Sequence, residues 1–316
     1  MGFLWSLPDR SRPASLAAVA LGALLLAGCR AVAPGVLAPA PSVVRTDDEI
    51  IVAGQRFHTG TRVVAWMDPG GYNAYQGALP VSQRPAAQDR TKAGGSRLAA
   101  LQEVVDQFVL HYDACGLSKI CFNALQERGL SVHFLLDVDG TVYQTLDLQE
   151  RAAHATTAND RSIGIELANI GAFPPGEAVQ LEAWYQRDAT GEVRLRAPAR
   201  IRDPGIRTKN FAGRPARPEQ IRGQLQGQRL VQYDYTPEQY DALAKLTAAL
   251  CRVFPRLTCD YPHDAAGRLI TRKLPDKELE NYRGLLGHFH VQENKTDPGP
   301  ALQWRKIVED ARRQMK

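Results

Sequence analysis

The sequence lacks the features that define several protein classes. Aromatic residues make up only 7% of its 316 residues, and five cysteines and three methionines are present. With 44% hydrophobic and 23% charged residues, the balance is that of a folded globular protein, which excludes a disordered chain, a collagen and a coiled coil. The net charge of +5 comes without the dense Lys/Arg clusters of nucleic-acid binders, so no nucleic-acid partner is predicted.

A long hydrophobic run is also missing. The longest uncharged apolar stretch, residues 16–27, is too short to span a bilayer comfortably and follows Arg10 and Arg12, as in a secretory signal peptide. It ends in the letters LAGC, which resemble a bacterial lipoprotein processing site that leaves Cys29 to carry lipid. An ordinary signal peptide with a coincidental cysteine is the alternative. Either way, the mature protein is expected to leave the cytoplasm.

The segment after Cys29 predicts a tether and a location. Residues 29–47 contain three prolines among alanines and valines and show no helical or strand period, so residues 1–28 are predicted as signal peptide and 29–47 as tether. By the familiar sorting rule for bacterial lipoproteins, an Asp after the lipidated cysteine favours the inner membrane. Arg30 therefore favours a lipid anchor in the outer membrane, facing the periplasm.

The remaining cysteines are even in number, as expected in an oxidising compartment. Two disulfides are predicted among them, and the pairing of neighbours is the simplest of three possible connectivities. A zinc site built from all four is disfavoured because no CxxC spacing occurs. These cysteines are Cys115, Cys121, Cys251 and Cys259.

Apolar periodicity alternates between strand and helix along the rest of the chain. Two apolar runs, at 50–52 and 63–66, predict an N-terminal hairpin, and DVDG at 137–140 predicts a second one. Thr236 to Gln239 form a capping box that starts a helix. Further helices are expected near 98–105, 118–128 and 301–315, and further strands near 108–111, 162–167 and 284–291. We therefore expect an α/β fold, a mixed central β-sheet flanked by helices, in a domain spanning 48–316.

The region 173–230 breaks this pattern. It has scattered Pro and Gly without long periodicity, and residues 187–229 contain eleven Lys/Arg against four Asp/Glu. The region is predicted to be a basic surface insertion. A solvated face is the ordinary meaning of such charge, and contact with anionic glycan or lipid headgroups is the alternative.

Two histidines and one aspartate stand out from the seven histidines of the chain. His111 and His288 each end an apolar run, where a neutral imidazole can reach a cleft, and Asp297 follows nine residues after His288. Two imidazoles and one carboxylate would give Zn²⁺ three protein ligands and leave a fourth position for water, the pattern of catalytic zinc sites. The sequence therefore predicts a zinc centre formed by these three side chains.

Two more residues fit catalytic roles beside such a centre. Glu166 interrupts an apolar strand, where an unpaired carboxylate would be costly, and is the candidate general base. Lys295, two residues before Asp297, is expected to face the same site and could stabilise an oxyanion. A salt bridge for Glu166, and neutralisation of Asp297 for Lys295, are the structural alternatives.

Four sequence blocks carry a resemblance to a known family. They are FVLHYDA (108–114), SVHFLLDVDGTVYQTLDLQERAAHA (131–155), NDRSIGIEL (159–167) and GHFHVQENKTDPGPALQW (287–304). In this order they resemble the type 2 N-acetylmuramoyl-L-alanine amidases, zinc enzymes related to the peptidoglycan recognition proteins, and the lipoprotein signal points to their outer-membrane AmiD-like branch. The resemblance implies the same ligands, His111, His288 and Asp297, with Glu166 as base and Lys295 as transition-state partner.

The sequence also departs from the family pattern. Tyr112 stands where many relatives have a second histidine, and His290 stands where relatives often have Asp. If His288 and His290 share one strand face, either could be the ligand. His154 falls where relatives place a cleft residue, so substrate contact and structural hydrogen bonding are both open. Cys115 and Cys121 follow the first ligand strand as a short disulfide loop does in recognition proteins.

The resemblance implies a reaction and a substrate. The expected reaction is hydrolysis of the amide between N-acetylmuramic acid and L-alanine, with peptidoglycan or muropeptides as the partner and Zn²⁺ as the cofactor. A non-catalytic peptidoglycan-binding lipoprotein, and a structural lipoprotein linking membrane to wall, are the alternatives.

Overall fold

The computed structural model describes residues 45–76 and 97–316. The predicted signal peptide, Cys29 and nearly all of the tether lie outside these residues. Among the described helices, none is both long and apolar enough to cross a membrane. The strands are β1 (Glu49–Val52), β2 (Gln55–His58), β3 (Val63–Ala65), β4 (Gln107–Tyr112), β5 (Phe134–Leu136), β6 (Val142–Gln144), β7 (Ser162–Leu167), β8 (Tyr185–Arg187), β9 (Val193–Leu195), β10 (Ile221–Leu225), β11 (Gln228–Gln232) and β12 (Gly284–Gly287). The α-helices are α1 (Arg97–Val104), α2 (Ser118–Glu127), α3 (Val179–Glu182), α4 (Pro237–Val253), α5 (Asp276–Asn281), α6 (His288–Val291) and α7 (Trp304–Gln314).

Six strands form one mixed sheet, in the order β12-β4-β7-β5-β6-β3. Its neighbouring strands run parallel except β5 and β6, which form the antiparallel hairpin predicted around DVDG. Helix α4 begins at the predicted capping box, in which Thr236 accepts a hydrogen bond from the backbone N–H of Gln239. The predicted α/β fold with a mixed sheet flanked by helices is therefore confirmed.

The two faces of the sheet pack against different helices. Phe108 and Leu110 of β4 belong to the large core that contains residues of α4 and α7. Val109 points to the other face and belongs to a separate cluster with residues of α5. Because alternate residues of a strand share a face, His111 lies on the side of Val109, away from α4 and α7.

The N-terminal hairpin is present, but its second strand differs from the prediction. Strand β1 pairs with β2, while the apolar run at 63–65 forms β3 and joins the main sheet beside β6. The burial pattern gives the reason: β3 is buried throughout, whereas three of the four residues of β2 are exposed. An apolar run is better accommodated in the central sheet than in a two-stranded hairpin at the surface.

The predicted strand at 284–291 is also corrected. Strand β12 ends at Gly287, and the short helix α6 begins at His288. His288 and His290 therefore do not share a strand face, and the reason for considering them interchangeable no longer holds.

The basic region 173–230 is less superficial than expected. It contains two antiparallel hairpins, β8-β9 and β10-β11. Trp184, Tyr185 and Val193 are buried in a cluster with Leu117 and Val138 of the main domain. The region thus has an apolar side that packs on the fold, while most of its Lys and Arg residues are partly or fully exposed.

The cysteines lie as the predicted neighbour pairs. Cys121 interacts with Cys115, and Cys251 with Cys259. All four are free thiols in this structure. The two disulfides therefore stay a prediction.

Candidate metal centre

Parallel strands of the mixed sheet position three of the candidate residues. Strands β4 and β7 pair in a register that sets His111 opposite Glu166, and β12 pairs with β4 so that His288 follows directly after the pair Gly287 and Leu110. The carboxyl ends of parallel strands meet at one edge of a sheet. The strand register alone therefore brings His111, Glu166 and His288 to the same edge.

Three buried side chains converge at this edge. The Nδ1 of His111 lies 2.7 Å from Oδ2 of Asp297 and 3.0 Å from Nδ1 of His288, and that nitrogen lies 3.0 Å from the same Oδ2. Their exposed fractions are only 2% for His111, 5% for His288 and 8% for Asp297. Among the described residues, they form the single group of three or more His, Cys, Asp or Glu side chains placed to hold one metal ion.

The protonation states suit a cation. Burial, with the electrostatic effect of His288 as a further cause, lowers the pKa of His111 to about 4, so its imidazole is neutral near pH 7. Burial alone would raise the pKa of Asp297, but hydrogen bonds from His111 and His288 hold it below its ordinary value. Metal binding requires neutral imidazoles and an ionised carboxylate, and both His111 and Asp297 are in that state.

The second ring nitrogen of each histidine has its own partner. His288 Nε2 lies 2.5 Å from Gln292 Oε1, and His111 Nε2 lies 3.0 Å from Nδ1 of His154. Both Nδ1 atoms therefore point at Asp297, while both Nε2 atoms point away from it. This is the arrangement expected when each Nδ1 presents its lone pair to a metal.

Hydrogen bonds from the β10-β11 hairpin and its flank hold the loop that carries Asp297. The buried amide of Gln232 donates to the carbonyl of Pro298 (3.2 Å) and accepts from the backbone N–H of Ala301 (2.9 Å). The hydroxyl of Tyr235 donates to the same carbonyl (2.7 Å). Gly299 has φ +86°, and a Cβ there would lie 2.1 Å from Gln232 Oε1, so only glycine fits. The loop that carries Asp297 is thus held by Gln232 and Tyr235, which directly follow the region 173–230 that the sequence marked as a surface insertion.

Glu166 has the character expected of a general base. Its Oε2 is buried without a hydrogen-bond partner. Burial raises the pKa of Glu166 well above its ordinary value, the negative charges of Asp297 and Asp113 raise it further, and the ammonium of Lys295 opposes them. No salt bridge of Glu166 exists among the described residues, so the structural alternative for this carboxylate is not supported.

The site opens into a cavity of about 300 Å³. Lys295 and Asp297 both line it, as expected, although they lie in a loop with turns rather than in an extended strand. Cys115 and Cys121 line it as well. The remaining candidate residues at this cavity are His111, His154, Glu166 and His288.

His290 and His133 take no part in the group. The Nδ1 of His290 accepts from the backbone N–H of Gly287 (2.9 Å), and its Nε2 donates to the carbonyl of Ile270 (2.7 Å). The Nδ1 of His133 accepts from the N–H of Gly164, and its Nε2 donates to the carbonyl of Glu150. In each of these two rings, both nitrogens form hydrogen bonds with backbone groups. Of the two neighbouring histidines, His288 is therefore the one placed to hold a metal, and the His133 ring binds the backbone.

The residues that support the site are not among those predicted from the sequence. Gln292 follows His288 by four residues, one helical turn, a spacing that the predicted strand at 284–291 concealed. Gln232 lies far away in sequence, and no local signal marks it. Asp113 is buried at the end of β4, where its Oδ1 accepts from the backbone N–H groups of Cys115, Gly116 and Asn169; burial raises its pKa to about 7.

The residues present fit zinc. A tetrahedral zinc site with Zn–N distances of about 2.0 Å places neighbouring ligand atoms about 3.3 Å apart. The observed separations of 2.7–3.0 Å are slightly shorter, so small side-chain shifts would admit the ion. Two imidazoles, one carboxylate and a neighbouring unpaired carboxylate oxygen form the donor set of a catalytic zinc site.

Comparison with known proteins points to one enzyme family. The model of the Amidase_2 family, N-acetylmuramoyl-L-alanine amidases, matches residues 101–202, less than half of the chain. The matched segment holds His111, His154 and Glu166, whereas His288 and Asp297 lie beyond it. A search of curated protein sequences gave no match.

Solved structures with a related fold are distant. AmiD from E. coli, in complex with the substrate anhydro-N-acetylmuramic acid-L-Ala-D-gamma-Glu-L-Lys, is 19% identical with a TM-score of 0.35; the match covers 69% of this chain and 59% of that chain. A selenomethionine derivative of AmpD is 19% identical (66% and 86% covered, TM-score 0.33), and the Drosophila peptidoglycan recognition protein PGRP-SA is 14% identical (65% and 79%, TM-score 0.31). Because these scores are low, the functional assignment relies on the site and on the family match.

Proposed function

We propose that the protein is a zinc-dependent N-acetylmuramoyl-L-alanine amidase that hydrolyses the amide between N-acetylmuramic acid and L-alanine in peptidoglycan or muropeptides. The observation that carries this proposal is the convergence of His111, His288 and Asp297 beside Glu166. The family match supports the reaction class, because it covers one ligand and the base.

The side chains divide the chemistry between them. A zinc ion at the three ligands would supply a Lewis acid that polarises the carbonyl and acidifies water. Glu166, unpaired and of raised pKa, accepts the proton of the attacking water and returns it to the leaving amine of L-alanine. Lys295, on the wall of the same cavity, stabilises the negative charge that develops on the carbonyl oxygen.

The test separates metal binding from catalysis. Glu166→Gln keeps the shape of the side chain but cannot accept a proton, so we expect zinc content to stay unchanged and turnover to fall by a factor of about 10² to 10⁴. Products from defined muropeptides are identified by mass spectrometry. Near-normal release of stem peptide by this variant would refute the role of Glu166. Tight wall binding without any cleavage by zinc-loaded wild type would favour a binding lipoprotein instead.

We also propose that the enzyme is anchored by lipid at Cys29 to the outer membrane and faces the periplasm, as in the AmiD-like branch. The support is the sequence alone: the apolar run 16–27, the letters LAGC and Arg30. Mass analysis of the mature N-terminus in wild type and Cys29→Ala tests it. An unacylated Cys29 in the wild-type membrane fraction would contradict the anchor.

A further inference from the structure

We propose that His154 is a positioning residue that orients the metal ligand His111, rather than a residue that contacts substrate. The inference rests on the proposed zinc site. It assigns to His154 one task, to accept a hydrogen bond from the Nε2–H of His111 and so to leave the Nδ1 of His111 free for the metal.

The hydrogen-bond chain specifies the ring tautomers. His111 Nε2 lies 3.0 Å from His154 Nδ1, and His154 Nε2 lies 3.2 Å from Ser162 Oγ. When the Nδ1 of His111 binds the metal, its Nε2 carries the hydrogen and donates. The Nδ1 of His154 must then accept, so the hydrogen of His154 sits on Nε2, where Ser162 offers an acceptor oxygen. Each donor in this chain meets an acceptor.

The two metal-ligand histidines are supported in the same way. Gln292 Oε1 lies within hydrogen-bond distance of the Nε2 of His288. In the same way, the Nδ1 of His154 lies within hydrogen-bond distance of the Nε2 of His111. Because an amide oxygen can only accept a hydrogen bond, the Nε2 of His288 must donate to Gln292. We expect the Nε2 of His111 to donate to His154 in the same way. Outer-shell partners of this kind fix the ring orientation and raise the basicity of the ligand.

The position of Gly164 supports the inference independently. A Cβ at Gly164 would lie 2.6 Å from Cε1 and Nδ1 of His154, closer than nonbonded atoms approach. Gly164 lies in the middle of β7, where glycine weakens a strand and often marks a close approach. The missing side chain makes room for the His154 ring directly over the strand, edge-on to His111 at an interplanar angle of 87°.

Zinc affinity, measured without substrate, tests the role. We expect His154→Ala to bind zinc 10- to 100-fold more weakly in competition with a chelator. In His154→Asn, Oδ1 can take the place of Nδ1 as acceptor, so we expect partial recovery. The absorption spectrum of the cobalt-substituted protein should shift in His154→Ala, because the His111 ring is no longer fixed, and should return toward wild type in His154→Asn.

A pair of glycine substitutions provides the control. Gly164→Ala should lower zinc affinity as His154→Ala does, although Gly164 is not itself a ligand. Gly176→Ala, at a position with nothing within 4 Å of the added Cβ, should leave it unchanged. Circular dichroism of the metal-free proteins verifies that each variant is folded.

The outcomes separate this inference from the proposed function. Wild-type zinc affinity in folded His154→Ala, with a raised KM for muropeptides, would overturn the positioning role and make His154 a substrate contact. A zinc-loaded wild type that binds the ion tightly but does not cleave muropeptides would overturn the proposed amidase reaction and leave the positioning role standing.

Discussion

The candidate site has two halves that are built differently. His111 and Glu166 lie on paired parallel strands within the mixed sheet, where the register itself sets them side by side. His288 and Asp297 lie in a short helix and a loop after the edge strand β12. The loop is held by hydrogen bonds from Gln232 and Tyr235, outside the sheet.

The difference shows where the site depends on remote parts of the chain. The sheet half is contained in the segment that the family model matches, and its residues are close in the fold because their strands pair. The loop half needs Gln232 and Tyr235, which directly follow the region 173–230 with its lack of long apolar periodicity. The candidate metal site therefore combines two kinds of half. Recognisable strand patterns and their pairing place the sheet half, whereas hydrogen bonds from distant residues place the loop half.

Removal of a metal ligand from either half should have the largest effect. His111→Ala in the sheet half and Asp297→Ala in the loop half each leave two ligands, so we expect zinc affinity to fall by more than about 100-fold, beyond the usual cost of losing an outer-shell partner. Chelator competition and metal analysis measure it. Wild-type zinc affinity in either variant would show that this half does not bind the ion.

Loss of the loop support should have an intermediate effect. Gln232→Ala removes the hydrogen bonds to Pro298 and Ala301 and leaves the buried backbone N–H of Ala301 unpaired, which we expect to cost about 1–3 kcal/mol in the free energy of unfolding. Zinc affinity should fall as well, because Asp297 is less firmly placed. Urea unfolding and chelator competition measure the two effects.

Gln224→Ala is the matched control on the same hairpin. Its side chain is exposed and donates only to the carbonyl of Gly227 within the turn. We expect almost no change in zinc affinity. Equal effects of Gln224→Ala and Gln232→Ala would indicate that the hairpin as a whole, rather than the hydrogen bonds of Gln232, supports the loop.

A pH effect on stability should have the smallest consequence for the metal site, because it involves neither half. Asp137, in the β5-β6 hairpin, is fully buried with Oδ2 unpaired, and burial raises its pKa from 3.8 to about 7. Between these values the folded state binds more protons than the unfolded state, so stability falls as pH rises. From pH 5 to pH 8 this amounts to about 3 kcal/mol.

Asp137→Asn isolates that effect. Because the amide does not titrate, we expect the variant to lose less stability than wild type between pH 5 and pH 8 in urea unfolding of the metal-free protein. Asp113, which also has a pKa of about 7, keeps contributing in both proteins. An identical pH dependence of wild type and variant would show that Asp137 does not ionise in this range.

Much of the sheet could be predicted, since the strand and hairpin patterns are local. The runs around His111 and Glu166, the DVDG hairpin and the capping box of α4 are present near their expected positions. The exceptions have a common reason. The run at 63–65 pairs with β6 in the central sheet instead of forming a hairpin, and the residues after Gly287 form a helix instead of a strand. In both cases, packing against distant parts of the chain favoured one of two locally possible structures.

Local sequence patterns identify the side chains available for chemistry: two imidazoles, two carboxylates and a lysine, each in a recognisable setting. Contacts between distant segments place His288 rather than His290 beside Asp297, put His154 next to His111, and let Gln232 hold the Asp297 loop. The two kinds of information differ because the interactions behind them act over different distances along the chain. Periodicity and capping act within a few residues, whereas ligand geometry depends on hydrogen bonds between segments that meet only when the sheet is complete.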